Sequence, residues 1–365
     1  MKDEKKWMKI ALSLAKKGEG KVSPNPMVGA VLVKDGQMVG KGYHRYFGGP
    51  HAEIEAINQA KEKAKGSTLF VSLEPCSHFG KTPPCTQTII KTNIKKVVAA
   101  TIDPNPLNKG KGIKTLEEVG IEVKVGVCEQ EAKKVNQSFF KLVQEKIPFV
   151  IIKAAISLDG KIATSTNESK WITGERARLF GKKLRCKVDA ILVGINTVIK
   201  DNPELLPLRA KERYLRIILD TKLRIPLEAN ILKNQKHYPT LIFTGAGVDP
   251  KKIKVLKEKG VEVKFLKSKE QKINTKKVLK ELGKRKIASL LVEGGGEVIA
   301  SFVKENLVDK IYLFLSPCII GGRNAPTWVE GEGFSSLQDA LRVKIEKIRR
   351  VDEDILIEGY PAKDK

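Results

Sequence analysis

Two spacings of apolar residues alternate along the chain. Between Trp7 and Ala15 the apolar positions recur at helical spacing, and Gly18 marks a stop. Residues 28–33 form an unbroken apolar run of strand length, the Asp35-Gly36 pair reads as a turn, and residues 38–42 return as the second strand of a hairpin. A Gly48-Gly49-Pro50 loop then leads to His51, after which Ala52, Ala56, Ile57 and Ala60 give a small apolar helical face. Residues 68–73 and 97–101 read as strands, 86–90 as the first turns of a helix, 113–118 as a helix and 121–127 as a strand. Strands alternating with helices predict a layered α/β domain.

The pattern restarts after Pro148 with a buried strand over 149–155, so a domain boundary is placed near residue 147, giving domains 1–147 and 148–365. The 157–163 segment predicts a loop leading to another short strand, and 177–186 a basic helix. Apolar runs at 190–194, 217–220, 240–244, 289–293 and 311–315 predict further buried strands. Between the fourth of these and a helix at 298–302 stand Gly294, Gly295 and Gly296, which would let backbone amides approach a phosphate at the helix start. The spacing is not that of the dinucleotide fingerprint, and a tight turn without a ligand is the alternative.

Composition bounds these expectations. A chain of 365 residues suits two domains, and 41% hydrophobic with 30% charged residues suits a globular protein. The sequence contains no apolar run long enough for a transmembrane helix, and the N-terminal residues lack the apolar core of a signal peptide. Five cysteines argue against a disulfide framework and for a reducing cytoplasm. The net charge of +26 would suit nucleic acid or a phosphorylated small molecule. Yet Lys and Arg are interspersed with Glu and Ile, as in residues 277–282, which favours a solvated Lys/Glu-rich surface.

Candidate chemistry concentrates in residues 51–85. His51, Cys76 and Cys85 supply one imidazole and two thiolates, three ligands for a tetrahedral Zn²⁺ with a fourth position open to water. Glu53, two residues after the histidine, is placed to move protons there without being a ligand. H-x-E followed by P-C-x-x-C is the zinc-deaminase pattern; here the first half is intact and the second is widened to eight residues between the cysteines. His44 and His78 have no comparable support, while Cys128, Cys186 and Cys318 read as ordinary thiols.

Three stretches together, Ser23-Pro24-Asn25-Pro26-Met27-Val28-Gly29, Gly49-Pro50-His51-Ala52-Glu53 and Glu74-Pro75-Cys76-Ser77-His78-Phe79-Gly80-Lys81-Thr82-Pro83-Pro84-Cys85, resemble the bifunctional riboflavin-biosynthesis deaminase/reductase family. The long cysteine loop fits that family. The resemblance continues through Ala155, the 157–161 loop, Ser169, 171–173, Arg185, 193–194, 196–197, 201–203 and 292–295. It implies a cytidine-deaminase-like α/β/α domain followed by a dihydrofolate-reductase-like α/β domain that uses NADPH. It also implies cofactor contacts at Ala155, Trp171, Thr197, Asp201, Thr221, Gly295, Gly296 and Glu297. A phosphorylated pyrimidine substrate would meet Asn25, Ser169, Arg185, Leu205, Arg209 and Glu293. One departure is visible: where the family runs Leu-Thr-x-Arg, this chain reads Leu205-Leu206-Pro207-Leu208-Arg209, with the Thr missing and the Arg one position late.

The expected function is therefore two reactions on one substrate. Zn²⁺-dependent hydrolytic deamination, with Glu53 shuttling the proton, is followed by NADPH-dependent opening of the ribosyl group to a ribityl chain. No nucleic acid or membrane partner is expected, the location is cytoplasmic, and a homo-oligomer is left open. A nucleic-acid (tRNA or DNA) base deaminase with an accessory domain is the first rival, and leaves residues 148–365 without a task. A basic binding protein with a structural zinc is the second. It needs a fourth protein ligand, for which His78 is the residue to check.

Overall fold

The structure, a computed structural model, describes residues 2–80, 83–266 and 272–362; Lys81 and Thr82 of the cysteine loop lie outside the described residues. The chain divides into two compact units, Met1–Lys146 and Ile147–Lys365.

In the first unit α1 (Lys2–Ala15) precedes the hairpin of β1 (Gly29–Lys34) and β2 (Gln37–Tyr43), whose turn holds Asp35 and Gly36 at positive φ. Then follow α2 (Ala52–Ala60), β3 (Thr68–Val71), α3 (Cys85–Lys91), β4 (Lys96–Ala99), α4 (Lys111–Glu117), β5 (Glu122–Val125), α5 (Glu129–Val135) and α6 (Gln137–Glu145). The five strands form one sheet in the order β2-β1-β3-β4-β5, antiparallel through β3 and parallel beyond it. Successive strand residues face opposite sides, so Leu32, Leu69, Val71 and Val97 bury against α2, α3 and α4. Val31, Val33, Phe70 and Val98 bury against Met8, Ala11 and Leu12 of α1 and Ala132 of α5. The result is a three-layer α/β/α unit. Its parallel strands end where the loops carrying Cys76 and Asp103 begin.

The second unit runs β6 (Phe149–Ile156), α7 (Glu175–Arg185), β7 (Ala190–Gly194), α8 (Ile195–Asp201), β8 (Leu215–Leu219), β9 (Thr240–Thr244), α9 (Pro250–Glu258), β10 (Glu262–Phe265), α10 (Thr275–Lys284), β11 (Ser289–Val292), α11 (Gly296–Lys304), β12 (Lys310–Leu315), β13 (Val343–Val351) and β14 (Asp354–Pro361). Its nine-stranded sheet is ordered β10-β9-β8-β7-β11-β6-β12-β14-β13. The seven strands from β10 to β12 are parallel, and β14 is antiparallel to both neighbours. β7, β9 and β11, apolar apart from Thr240, Thr244 and Ser289, are buried on both faces, as central strands of a parallel sheet require. Because β11 enters between β7 and β6, the chain reverses its direction of travel there, and a crevice opens beyond the strand ends.

One expected element is absent. The 157–163 segment leads to no strand, only to a single bridge between Lys161 and Thr327. Side chains there compete for the backbone: Ser157 Oγ accepts from Lys161 N at 2.8 Å and donates to Asp159 Oδ1 at 2.6 Å, and Asp159 accepts from Ile320 N and Gly321 N at 3.0 and 2.7 Å. These bonds also hold Asp159 down to a pKa of about 2, the bond from Ser157 contributing most. No described helix is long and apolar enough to cross a membrane.

Candidate active sites

In the first unit His51 sits at the N-cap of α2 with extended backbone (φ −76°, ψ 161°), and Cys85 is the first residue of α3. Cys76 lies in the loop after β3, and its sulfur accepts from the Cys85 amide at 3.3 Å. The three elements converge so that His51 Nδ1 stands 3.2 Å from Cys85 Sγ and 3.5 Å from Cys76 Sγ. All three donor atoms lie within 4.8 Å of one another.

Their electrostatics show what the pocket wants. The Cys76 thiol falls to about 4 because the Cys85 thiol and the His51 ring hydrogen-bond to its sulfur, although burial opposes this. Cys85 is pushed up, first by that same bond to Cys76 and then by burial. His51 rises to about 8 through its bond to Cys76. Three electron-pair donors thus share protons in a space that one cation would fill, and two thiolates with one imidazole are the donor set of Zn²⁺ with an open fourth position. His78 does not join the cluster among the described residues. Its Nδ1 is buried without a hydrogen-bond partner, and its ring acts electrostatically on the Asp103 carboxyl, so the closed structural site has no support.

Glu53 points into this pocket from the first turn of α2 and is only 3% exposed. Burial raises its pKa, against the pull of His51. A carboxyl so placed gives and takes a proton near neutral pH more readily than a solvated one.

Sequence reasoning gave His44 no role, yet it ties the site together. Its Nδ1 lies 2.9 Å from the Pro50 carbonyl, which can only accept, so Nδ1 carries the hydrogen. Nε2 is then the acceptor for Asn25 Nδ2 at 3.2 Å. That bond commits the amide nitrogen of Asn25 and not its Oδ1. Glu74 is a second residue whose role the sequence hid: its carboxylate accepts from the amides of Asp103, Gly110, Gly112 and Ile113 at 3.0, 3.0, 2.9 and 3.4 Å. Gly112 is needed there, since a Cβ would stand 2.0 Å from the Pro75 carbonyl oxygen. Asn108 completes the clamp by accepting from the Ser77 amide at 2.9 Å and donating to the Pro75 carbonyl at 3.3 Å.

In the second unit a cavity of about 520 Å³ opens at the C-terminal ends of β7, β8 and β11, within the range of small-molecule and cofactor sites. Ala155, Ser169, Thr197, Asp201, Thr221, Glu293, Gly295, Gly296 and Glu297 all line it. Gly295 has φ +65°, and a Cβ on Gly296 would stand 2.4 Å from the Thr327 carbonyl oxygen, so the glycine run brings bare backbone to the wall at the start of α11. Backbone amides at a helix N-terminus suit the pyrophosphate of a dinucleotide. Ser169 Oγ donates to Asp201 Oδ1 at 2.8 Å.

Four of the expected contact residues are not among those that line the cavity. Trp171 is 69% exposed and stacks on the Arg178 guanidinium, 4.6 Å from the ring centroid. Leu205 is buried in the core, and its carbonyl accepts from Tyr214 Oη at 3.0 Å. Arg209 is exposed. Arg185 spends its bidentate edge on Glu293, with Nε and Nη2 at 2.9 and 2.8 Å from the two carboxylate oxygens. Burial raises the Glu293 pKa, but Arg185 and then Lys153 more than offset it and leave the carboxylate below its ordinary range. Lys153, missed in the sequence because it sits in an apolar strand, lines the same cavity, and burial lowers its pKa.

Comparison with known proteins matches each of the two units. The family model described as "Cytidine and deoxycytidylate deaminase zinc-binding region" matches residues 1–101, and "RibD C-terminal domain" matches 148–357. The riboflavin biosynthesis protein RibD of Aquifex aeolicus is 47% identical over 356 residues, covering 97% of each chain. The solved structure of Acinetobacter baumannii RibD superposes with a TM-score of 0.87 at 36% identity, and the diaminohydroxyphosphoribosylaminopyrimidine deaminase/5-amino-6-(5-phosphoribosylamino)uracil reductase of Thermotoga maritima with 0.86 at 38%. Each covers 99% of both chains.

Proposed function

The chain belongs to the bifunctional deaminase/reductase family of riboflavin biosynthesis, and from that premise we propose which residues carry each reaction. The enzyme deaminates a diaminohydroxyphosphoribosylaminopyrimidine with zinc and reduces the resulting amino-phosphoribosylamino-uracil with NADPH. A nucleic-acid base deaminase is not favoured, because residues 148–357 match a reductase model.

For deamination, His51, Cys76 and Cys85 would hold zinc. Bound there, the metal supplies the Lewis acidity that makes water a nucleophile near neutral pH. Glu53 takes a proton from the attacking water and delivers it to the departing amino group, so one carboxyl serves as base and then acid. One water enters and one ammonia leaves. Asn25, its amide nitrogen committed to His44, offers Oδ1 to an N–H of the pyrimidine.

For reduction, the residues at Ala155, Thr197, Asp201, Thr221 and Gly295–Glu297 would hold NADPH, which supplies the hydride. Bound there, the cofactor would supply hydride to the anomeric carbon as the ring C–O bond breaks. The released oxygen needs a proton, and Lys153, an ammonium whose pKa burial lowers, stands on the cavity wall to give it, beside the ionised Glu293. Ser169 flanks the substrate end, and Arg185 acts there through Glu293, which it holds in place. Trp171, Leu205 and Arg209 have less support as contacts, given their surroundings.

The convergence of His51, Cys76 and Cys85 beside buried Glu53 carries this reading. Metal removal tests it. A chelator-treated enzyme should release no ammonia and regain the activity with Zn²⁺, while NADPH oxidation on the deaminated intermediate continues throughout. Ammonia release at the untreated rate from metal-free enzyme would refute the assignment.

A further inference from the structure

Among the described residues, four cations line the cavity of the second unit, and three of them face a partner. Lys153 acts on the Glu293 carboxylate, Lys200 Nζ donates to Asn167 Oδ1, and Lys272 Nζ pairs with Glu297 at 3.1 Å. Arg224 is the fourth. Its Nη2 donates to Asn196 Oδ1 at 2.7 Å, and its four other side-chain N–H groups have no hydrogen-bond partner among the described residues. That one bond ties the turn after β8, which also carries Thr221, to the first turn of α8. The guanidinium is thus held at the cavity wall with one two-donor edge unused.

Sheet order sets Arg224 away from the chemistry. From β6, which carries Lys153, the sheet runs to β11 with the glycine run, then β7 with α8 at its end, then β8 with Leu219 and the Arg224 turn. Three strand spacings separate β6 from β8, about 14 Å, a span for a dinucleotide lying across the strand ends. At the β8 end the wall is apolar, where Leu219 and Ile273 join the main core. Thr275, two residues on at the start of α10, lines the same cavity; it is 2% exposed, and its Oγ1 is buried with no hydrogen-bond partner. A hydroxyl shut away from water unbonded costs stability until a ligand supplies the partner. An apolar wall with one orphan hydroxyl suits a purine, whose ring nitrogens accept and whose amino group donates.

The same strand end distinguishes between two dinucleotides. In nucleotide-binding α/β sheets a carboxylate near a strand end grips the free 2′-hydroxyl of NADH, whereas an arginine accommodates the 2′-phosphate of NADPH. Here Asp220, the residue after β8, is fully buried, its Oδ2 accepts from Ile225 N at 2.8 Å, and it does not line the cavity. The carboxylate is withheld and the arginine is presented. We propose that the β8 end of the cavity takes the adenosine half of the cofactor, with Arg224 on the 2′-phosphate as the residue that selects NADPH over NADH and Thr275 Oγ1 bonded to the adenine. This rests on the reading of the cavity as the cofactor site and adds the residues that choose between two cofactors. A guanidinium edge meets a phosphate through two parallel N–H···O bonds, and Asn196 orients Arg224 for them.

The test is direct binding of NADPH and of NADH to the full-length protein, read by nucleotide fluorescence, for the parent, Arg224→Gln and Thr275→Val. The parent should bind NADPH at least about tenfold more tightly than NADH. Arg224→Gln keeps a donor for Asn196 and should lose at least about tenfold in NADPH affinity, the scale of a hydrogen bond to a charged group, with NADH affinity unchanged. Thr275→Val keeps the size and should weaken both nucleotides by a common factor of about five. Arg224 is exposed and the Thr275 hydroxyl unbonded, so both variants should melt with the parent; if Thr275→Val melts early, Thr275→Ala with the same comparison decides the base contact. A parent without preference, or an Arg224→Gln that keeps the parent's preference, overturns the selection by Arg224 while the cofactor site itself stands. Parent affinities in both Thr275 variants overturn the base contact. A parent that binds neither nucleotide overturns the cofactor reading and this proposal together.

Discussion

Arg185 and Glu293 face each other through two parallel hydrogen bonds of 2.9 and 2.8 Å, with side chains only 17 and 6% exposed. The family resemblance implied Arg185 as a substrate contact; in the folded unit its bidentate edge is satisfied within the protein. Glu293→Gln should therefore leave a nearly buried guanidinium unpaired and cost the second unit about 3 kcal/mol. NADPH oxidation should fall at least about 100-fold while ammonia release stays at the parent rate. Equal loss of both activities would contradict the division of roles.

His44 gives the first unit a pH dependence with a definite sign. Burial, and to a lesser degree the nearby His51, lower its pKa, against the bond to Pro50. The unfolded chain takes up its proton near pH 6.5, so the unfolded state binds more protons just below that value. The stability from neutral His44 is fully present above pH 6.5 and is lost as the pH falls towards the folded pKa, at no more than about 1.4 kcal/mol per pH unit. Thermal melts from pH 7.5 to 5.5 should show this slope in the parent and lose it in His44→Gln. Parallel curves would mean His44 is not the titrating group.

Glu74 accepts hydrogen bonds from four backbone amides. Glu74→Gln keeps the size but offers only one acceptor oxygen, so roughly 2–4 kcal/mol of stability should go with the donors left unpaired. The Cys76 loop should loosen with it, and zinc retention during dialysis against a weak chelator should fall at least about tenfold. Unchanged retention would show that the clamp is structural only.

What could be read in the sequence follows from how local each signal is. The His–Cys–Cys cluster was legible because His51, Cys76 and Cys85 are rare residue types at element ends, and both helices start where expected. Central strands were legible because burial on both faces leaves them almost entirely apolar. α9 and α10 were missed although Asp249 and Asn274 cap them, accepting from Lys251 N and Lys277 N; their lysines dilute the apolar spacing that drew attention elsewhere. β13 was missed because five of its nine residues are charged and its apolar face depends on a bulge. His44, Glu74 and Lys153 act through partners far along the chain or across a cavity, such as Asn25 and Gly112, and no local pattern announces such pairings.

The most direct measurement is ammonia release by Glu53→Gln, read beside its zinc content. Glu53 is buried with its pKa raised, next to three groups that would hold the metal. The variant should retain about one zinc per chain and reduce the deaminated intermediate at the parent rate. Its ammonia release should fall by about 10³-fold, the scale of a lost general acid–base group. Ammonia release at the parent rate from a zinc-loaded, folded variant would contradict the account.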